Sequence, residues 1–78
     1  MSFTPDLIEE LKILARYDLS STLEGIKVHK TAGPGAVAAT RRLHEKGLIT
    51  LSDGGYLTSL GLGAAEHAQA LLTILTSA

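Results

Sequence analysis

The residues of this chain best suited to bind phosphate are a glycine-containing loop and the basic side chains around it. Gly33 begins the run Gly-Pro-Gly-Ala-Val-Ala, which fits the G-x-G-x-x-A pattern of a loop that holds a dinucleotide pyrophosphate at the start of a helix. The same run fits a tight turn between two helices, the second beginning at Pro34. The first interpretation predicts a nucleotide cofactor, whereas the second predicts a helix presented to a partner.

Two features favour the turn, although Asp53 lies 20 residues after Gly33, near the spacing of a ribose-binding carboxylate. The strand before a nucleotide loop is buried on both faces, and here it would contain Lys27, His29 and Lys30. A parallel sheet also needs several strand–helix–strand units of about 30 residues each, and 78 residues leave room for one. We therefore expect no cofactor.

Positive charge is concentrated in the middle of the chain. Residues 26–50 hold five basic side chains against Glu45 alone, a net charge of +4, while the remaining residues sum to −5 and the whole chain to −1. The five are Lys27, Lys30, Arg41, Arg42 and Lys46. Such an asymmetry is typical of a phosphate-contacting surface, and in a short chain it also arises by chance.

No other group of residues suggests chemistry. The chain has no cysteine, which excludes thiolate metal ligands and thiol catalysis. His29, His44 and His67 fall on different predicted elements and lack metal-ligand spacing. The serines suit helix caps and turns rather than a catalytic triad. We therefore expect neither a metal site nor an enzyme.

Length and composition indicate one small domain over residues 1–78. No apolar run approaches the roughly 18 residues of a membrane span, and the first residues lack the basic and apolar regions of a signal peptide. We therefore expect a cytoplasmic protein without membrane association. Apolar residues make up 45% of the chain, which is a high share for its length. This predicts an apolar surface that is covered by a binding partner.

The predicted elements define a mostly α fold with a small β-hairpin (α+β). Thr4 suits an N-cap and Pro5 the first helical position, so the first helix begins there. Hydrophobic periodicity and turn residues predict helix 1 at 5–18, helix 2 at 21–31, helix 3 at 34–46, a hairpin at 48–58 and helix 4 at 59–75.

Helix 2 depends on weaker signals than the others. Residues 21–24 fit a capping box. Gly25, however, costs about 1 kcal/mol inside a helix, and residues 26–29 alternate as a strand would. The sequence leaves open whether residues 25–30 form helix or strand.

Helix 3 is predicted to turn small residues inward and its arginines outward. At 100° per residue one face holds Ala36, Ala39, Thr40 and Leu43, and the opposite face holds Ala38, Arg41, Arg42 and Glu45. Gly47 suits the left-handed position just after the helix. The two arginines should therefore share one solvent-facing side.

The hairpin and helix 4 complete the predicted fold. Asp53-Gly54 between two short apolar segments predicts a type I′ turn. Helix 4 has an apolar arc wider than a small body covers, so we expect a homodimer through this helix. The predicted interface residues are His67, Leu71, Leu72, Ile74 and Leu75.

A passage from the end of helix 3 to the start of helix 4 resembles MarR-type and related winged helix-turn-helix regulators. Its residues are Leu43-x-x-Lys46-Gly47-Leu48-Ile49 and then Asp53-Gly54-Gly55-Tyr56-Leu57-Thr58-x-x-Gly61. The chain also resembles a family of short bacterial proteins of unestablished function. The MarR-type resemblance implies that helix 3 enters a DNA major groove and that the hairpin is a wing. It implies DNA contacts from Lys27, Lys30, Thr31, Gly35, Ala38, Arg41, Arg42, Lys46 and Ser52.

This sequence departs from the winged-helix pattern in ways that bear on specificity. The first two turns of helix 3 offer no side chain able to make a bidentate hydrogen bond to a base, and the hairpin tip carries Asp53 where DNA-binding wings carry Arg or Lys. The sequence therefore predicts a transcription regulator that binds duplex DNA mainly through phosphate contacts. The alternative is the same fold used as a protein-interaction or assembly module without DNA binding.

Overall fold

The computed structural model describes residues 3–21 and 24–77 as a small α+β domain. Within them lie three helices, α1 (Pro5–Leu14), α2 (Pro34–Glu45) and α3 (Ser59–Thr76). Three strands, β1 (Ile26–Lys27), β2 (Ile49–Leu51) and β3 (Gly54–Leu57), form an antiparallel sheet in the order β1-β3-β2. The α+β class is confirmed, and the four-helix order is wrong.

Helix α1 begins as its sequence predicts and ends early. Thr4 caps it, because its Oγ1 accepts a hydrogen bond from the backbone N–H of Leu7 at 3.2 Å. The helix ends at Leu14 rather than near residue 18. Tyr17 is buried beyond that end and donates a hydrogen bond from its hydroxyl to the carbonyl of Gly55 at 3.0 Å. The early end thus lets Tyr17 tie α1 to the sheet.

The helix predicted over residues 21–31 is absent from the described part of that range, where β1 and a short 3₁₀ turn (Lys30–Ala32) are found instead. Ile26 pairs with Gly55 and Lys27 with Gly54. The reason is close backbone contact, since a Cβ on Gly25 would lie 2.6 Å from the carbonyl oxygen of Gly55. The segment that contains Gly25 and the segment that contains Gly55 can approach this closely because glycine has no side chain. They therefore pair as strands, and Gly25 would have weakened a helix at this position. Residues 22 and 23 of the predicted capping box lie outside the described residues.

The predicted hairpin is formed by β2 and β3, but its turn differs from the expected type. Ile49 pairs with Leu57 and Leu51 with Gly54, with an irregularity between them. In the described residues only glycines have positive φ, among them Gly54 and Gly55. Asp53 therefore does not occupy the left-handed position of a type I′ turn. The positive φ values fall one residue later along the chain than the sequence pattern predicted.

Helix α2 ends in a Schellman motif, which fixes the direction of the hairpin that follows. Leu48 N–H donates to the carbonyl of Leu43, and Gly47 N–H donates to that of His44, both at 3.0 Å. Gly47 has φ of 79°. Leu43 is 1% exposed and lies at the centre of the core. The inward face of α2 is as predicted, with Ala39, Thr40 and Leu43 buried.

Helix α3 packs against the core through its small residues. Thr58 caps it by accepting from the N–H of Gly61 at 3.1 Å. A methyl group on Gly61 would overlap the carbonyl oxygen of Leu48, so only glycine allows this helix to sit so close to the hairpin. The buried hydrophobic residues are Ile13, Leu14, Tyr17, Val28, Ala39, Leu43, Ile49, Ala65 and Ala68.

Candidate functional site

One open groove runs between the β1–3₁₀ segment, helix α2 and the tip of the β2–β3 hairpin. It encloses about 390 Å³. Its lining residues are Lys27, Val28, His29, Lys30, Val37, Thr40, Arg41, Ser52 and Asp53. Val28, anchored by its backbone N–H donating to the carbonyl of Asp53 at 2.8 Å, closes the groove toward the core. The strand β1, which the sequence left open, thus positions the flanking lysines.

The groove, which we call the basic groove, carries three permanent positive charges and one negative charge. Lys27, Lys30 and Arg41 are exposed, and none of them forms an ion pair with any described residue. Asp53 is the lining carboxylate. His29 adds an imidazole to the lining. Three cations without protein partners in one concave surface are suited to bind the oxygens of phosphate groups.

Arg42 and Lys46 lie on a different surface from the basic groove. Both contact Glu10 of α1, Arg42 through Nε at 2.9 Å from Oε2 and Lys46 through its Nζ to Oε1. Arg42 also donates from Nη2 to the backbone carbonyl of Asp6 at 3.2 Å. The expectation that Arg41 and Arg42 share one solvent-facing side is therefore corrected, since α1 packs against the side of α2 that carries Arg42.

The Glu10 carboxylate is the centre of that second cluster. Its side chain is 7% exposed. Burial by itself raises the pKa of Glu10, but hydrogen bonds from Lys46 and Arg42 and their positive charges outweigh it, so the pKa lies below its ordinary value. Glu10 follows Leu7 by three residues and precedes Leu14 by four, which places it on the inward stripe of α1. That spacing was the available signal that a cation of another helix would pair with it.

The remaining residues predicted to contact DNA also lie partly inside and partly outside the basic groove. Ser52 lines the basic groove, whereas Thr31, Gly35 and Ala38 do not. A Cβ on Gly35 would lie 3.7 Å from the carboxylate of Glu9, so a negative group already stands beside the first turn of α2. An anion at this helix N-terminus would meet a carboxylate that is paired with Lys12 at 3.2 Å.

The nucleotide-loop interpretation of residues 33–38 finds no support in the arrangement of strands. β1 pairs antiparallel with β3, and in the described residues no parallel strand pair is present. The loop also enters α2 beside the carboxylate of Glu9, which is paired with Lys12. Without a parallel strand–helix–strand unit, a pyrophosphate cradle lacks its framework.

The predicted interface residues of helix α3 are all exposed. Gln69 is the last point at which the helix is tied to the body, through hydrogen bonds from its Nε2 to the carbonyls of Leu14 at 3.2 Å and Tyr17 at 2.7 Å. Every residue from 70 to 77 is exposed. Leu71 is 52% exposed and Ile74 is 69% exposed. His67, Leu72 and Leu75 are exposed as well.

The fold and the basic groove define the chain as a small α+β domain with a groove of unpaired cations. The chain belongs to DUF5669, a family of unknown function, and the match covers residues 1–76. This agrees with the resemblance to a family of unestablished function, and no winged-helix or MarR-type family is matched. No curated protein and no solved structure matches the chain. Among residues 3–21 and 24–77, no helix is apolar over a length that would span a bilayer.

Proposed function

We propose that this chain binds double-stranded DNA through contacts to the phosphate backbone, made by Lys27, Lys30 and Arg41. The observation that carries the proposal is the convergence of these three cations, free of ion pairs within the described chain, on one open groove. Duplex DNA presents a dense row of phosphate charges, and neutralising them releases condensed counterions. Because the net charge of the chain is −1, this attraction depends on the local charge of the basic groove rather than on the charge of the whole chain.

The succession of α2, β2, β3 and α3 supports a winged-helix use of the fold, although the second helix of the predicted order is absent from the described residues. In this proposal α2 lies in or beside the major groove, β2 and β3 form a short wing, and the 3₁₀ turn takes the place of the second helix. The basic groove lies between α2 and the wing tip. Phosphates on either side of a DNA groove would therefore meet Arg41 from α2 and the two lysines from the β1 side.

Sequence discrimination by such a contact would be weak. Between Pro34 and Ala38 the first turns of α2 carry no side chain with a hydrogen-bonding group. Sequence is read mainly by bidentate hydrogen bonds to base edges, and phosphate contacts position a protein without reading bases. The proposal is a DNA-binding protein, including a transcription regulator, whose affinity is mostly electrostatic.

The direct test is fluorescence anisotropy with a labelled duplex at about 50 mM salt. We expect Lys27→Ala/Lys30→Ala to weaken binding about tenfold or more, since each lost phosphate contact removes about 1 kcal/mol. The matched control is Lys12→Ala/Arg16→Ala, which removes the same charge away from the basic groove and should bind within about twofold of wild type. Absence of wild-type binding to every duplex tested, or equal losses in the two double variants, overturns the proposal.

Self-association through α3 is a second proposal, and it also serves the alternative function of a protein-interaction or assembly module. The observation that favours it is the run of exposed apolar side chains at the end of α3, including Leu71, Ile74 and Leu75. Exposed apolar patches of this kind mark interaction surfaces. Leu71→Asp should abolish self-association in sedimentation velocity. A monomeric wild type at about 100 μM would remove the basis of this second proposal.

A further inference from the structure

One face of helix α3 carries a coiled-coil repeat that is exposed at four of its five positions. Leu60, Ala64, His67, Leu71 and Ile74 follow one another at spacings of four, three, four and three residues. This mean period of 3.5 residues is the period of a coiled-coil seam. Leu60 is 63% exposed, Leu71 52% and Ile74 69%. We call these five positions the outward seam.

The outward seam is distinct from the face that holds α3 to the body. Gly61, Ala65 and Ala68 are the buried residues of α3 and form the inner side of the helix. Each is one residue beyond a seam position, so the two faces are about 100° apart. The body that packs on the inner face therefore leaves Leu60, His67, Leu71 and Ile74 exposed, while Ala64 is half-buried at the edge of the core.

We propose that two copies of the chain pair their α3 helices antiparallel along the outward seam, with Ala64 opposite the partner's Ile74 and His67 opposite the partner's Leu71. The proposal specifies the geometry of the self-association proposed above and rests on it, while it is independent of DNA binding. It commits to a second copy as the occupant of this face.

Side-chain sizes favour the antiparallel arrangement. It sets the smallest seam residue, Ala64, against a large one, and it sets the imidazole of His67 against the aliphatic side chain of the partner's Leu71. A parallel pair in register would place Ala64 against the partner's Ala64 and would leave a void. It would also stack His67 on the partner's His67. Voids and facing polar groups in a seam both cost stability.

Charge and helix spacing favour a second copy of this helix as the occupant. In the proposed register residues 71–74 of one copy face residues 64–67 of the other, so Glu66 and His67 of each copy meet a segment without an ionisable side chain and no like charges face each other. Gly63 and Ala70 flank the seam on one side. A Cβ on Gly63 would meet no atom within 4 Å, so that flank is open to another helix. Small flanking residues permit two helix axes to come close.

The antiparallel register is tested by introducing cysteines into a chain that has none. In Ala64→Cys/Ile74→Cys, each cysteine faces the other cysteine of the second chain, and oxidation should give covalent dimers on a non-reducing gel. Each single variant should give no covalent dimer on the same gel, because the two cysteines of its dimer, one from each chain, lie at opposite ends of the overlap. Intramolecular bridging is excluded, since ten residues of helix span about 15 Å and a disulfide needs Cα atoms within about 7 Å.

The matched control is Glu66→Cys/Thr76→Cys, which has the same ten-residue separation on exposed positions outside the seam. It should form several-fold fewer covalent dimers than the seam pair. Circular dichroism of the reduced proteins checks that each variant is folded. Crosslinking of the single variants as efficiently as the double variant indicates a parallel pair and overturns the proposal, and so does equal crosslinking of seam and control pairs.

Sedimentation of the cysteine-free wild type distinguishes an error in the proposed register from an error in the proposal of self-association. If the wild type is a dimer but the Ala64→Cys/Ile74→Cys variant does not crosslink, the register is wrong and self-association stands. A monomer at about 100 μM overturns self-association and register together. Neither result changes the anisotropy of the DNA titration with the basic-groove variants.

Discussion

The guanidinium of Arg42 is bound to the buried carboxylate of Glu10, with Nε 2.9 Å from Oε2, although the two residues are 32 positions apart in the chain. Its neighbour Arg41 lines the basic groove and has no ion pair with a described residue. Two consecutive arginines thus have different roles, because successive residues of a helix point about 100° apart. One joins α1 to α2, and the other is free to bind a ligand.

Substituting the two arginines one at a time should show that Arg42 contributes to stability and that Arg41 does not. Arg42→Ala removes one partner of a carboxylate that is 7% exposed, and we expect the free energy of unfolding to fall by about 1–3 kcal/mol. Lys46 still pairs with Glu10 in that variant, which limits the loss. Arg41→Ala should change stability by less than about 0.5 kcal/mol. Urea unfolding followed by circular dichroism measures both, and equal effects would contradict this division.

Glu10 should make the fold sensitive to acid. The pKa of its carboxyl lies below the ordinary value of 4.5, because Lys46 and Arg42 outweigh the effect of burial. The stability that this shift provides is complete above the unfolded-state pKa and is lost as the pH falls through the lower folded-state pKa. The advantage of wild type over Glu10→Gln should therefore be constant from about pH 7 to 5 and shrink below about pH 4.

Unfolding in urea at a series of pH values measures that advantage. Glu66→Gln is the matched control, because it removes an exposed carboxylate that forms no ion pair with a described residue. Its unfolding free energy should follow that of wild type throughout the series. A Glu10→Gln curve parallel to wild type down to about pH 2 would contradict the assigned role of Glu10.

Tyr17 should give the opposite sensitivity, at alkaline pH. Burial raises the pKa of its phenol to about 12, compared with an ordinary value of 10. Above about pH 10 the unfolded chain loses this proton more readily than the folded chain, so stability falls as the pH rises toward the folded-state pKa. Tyr17→Phe lacks the hydrogen bond to Gly55 and should be about 1 kcal/mol less stable at pH 7. That deficit should decrease as the pH rises from 10 to 12 in denaturant unfolding.

Two glycines of α3 form a matched pair for a stability measurement. Gly61→Ala would place a methyl group on the carbonyl oxygen of Leu48, so we expect a loss of about 2 kcal/mol or more. Gly63→Ala meets no atom within 4 Å and should gain up to about 1 kcal/mol of helix propensity. Thermal unfolding of the two variants should thus give shifts of opposite sign. A gain in both would show that α3 sits further from Leu48.

Most of the fold could be predicted from local signals in the sequence. The cap at Thr4, the end of α2 at Gly47 and the start of α3 at Thr58 each depend on residues within a few positions of one another. The error over residues 21–31 has a different origin. Gly25 and Ile26 are held by Gly54 and Gly55, which lie about 30 residues later, so the strand is specified by a contact that no local window contains.

The candidate site could be predicted only in part, because its composition also depends on contacts between residues that are distant in the chain. Clustering of basic residues along the chain included Lys27, Lys30 and Arg41, which the fold brings to one groove. It also included Arg42 and Lys46, whose partner Glu10 comes from a different helix. A charge count cannot show which cations are already neutralised. The position of Glu10 on the inward stripe of α1 was the one sequence feature that pointed to this pairing.

The salt dependence of DNA binding should count the cations that contact phosphate. Each phosphate neutralised on a duplex contributes about −0.9 to the slope of log K against log salt concentration. The basic groove supplies three cations per protomer, so we expect a slope of about −2.7. If all five basic residues of the 26–50 segment took part, the slope would be about −4.5. Arg41→Ala should reduce the slope to about −1.8, whereas a folded Arg42→Ala protein should keep the wild-type slope, because Glu10 already occupies that guanidinium.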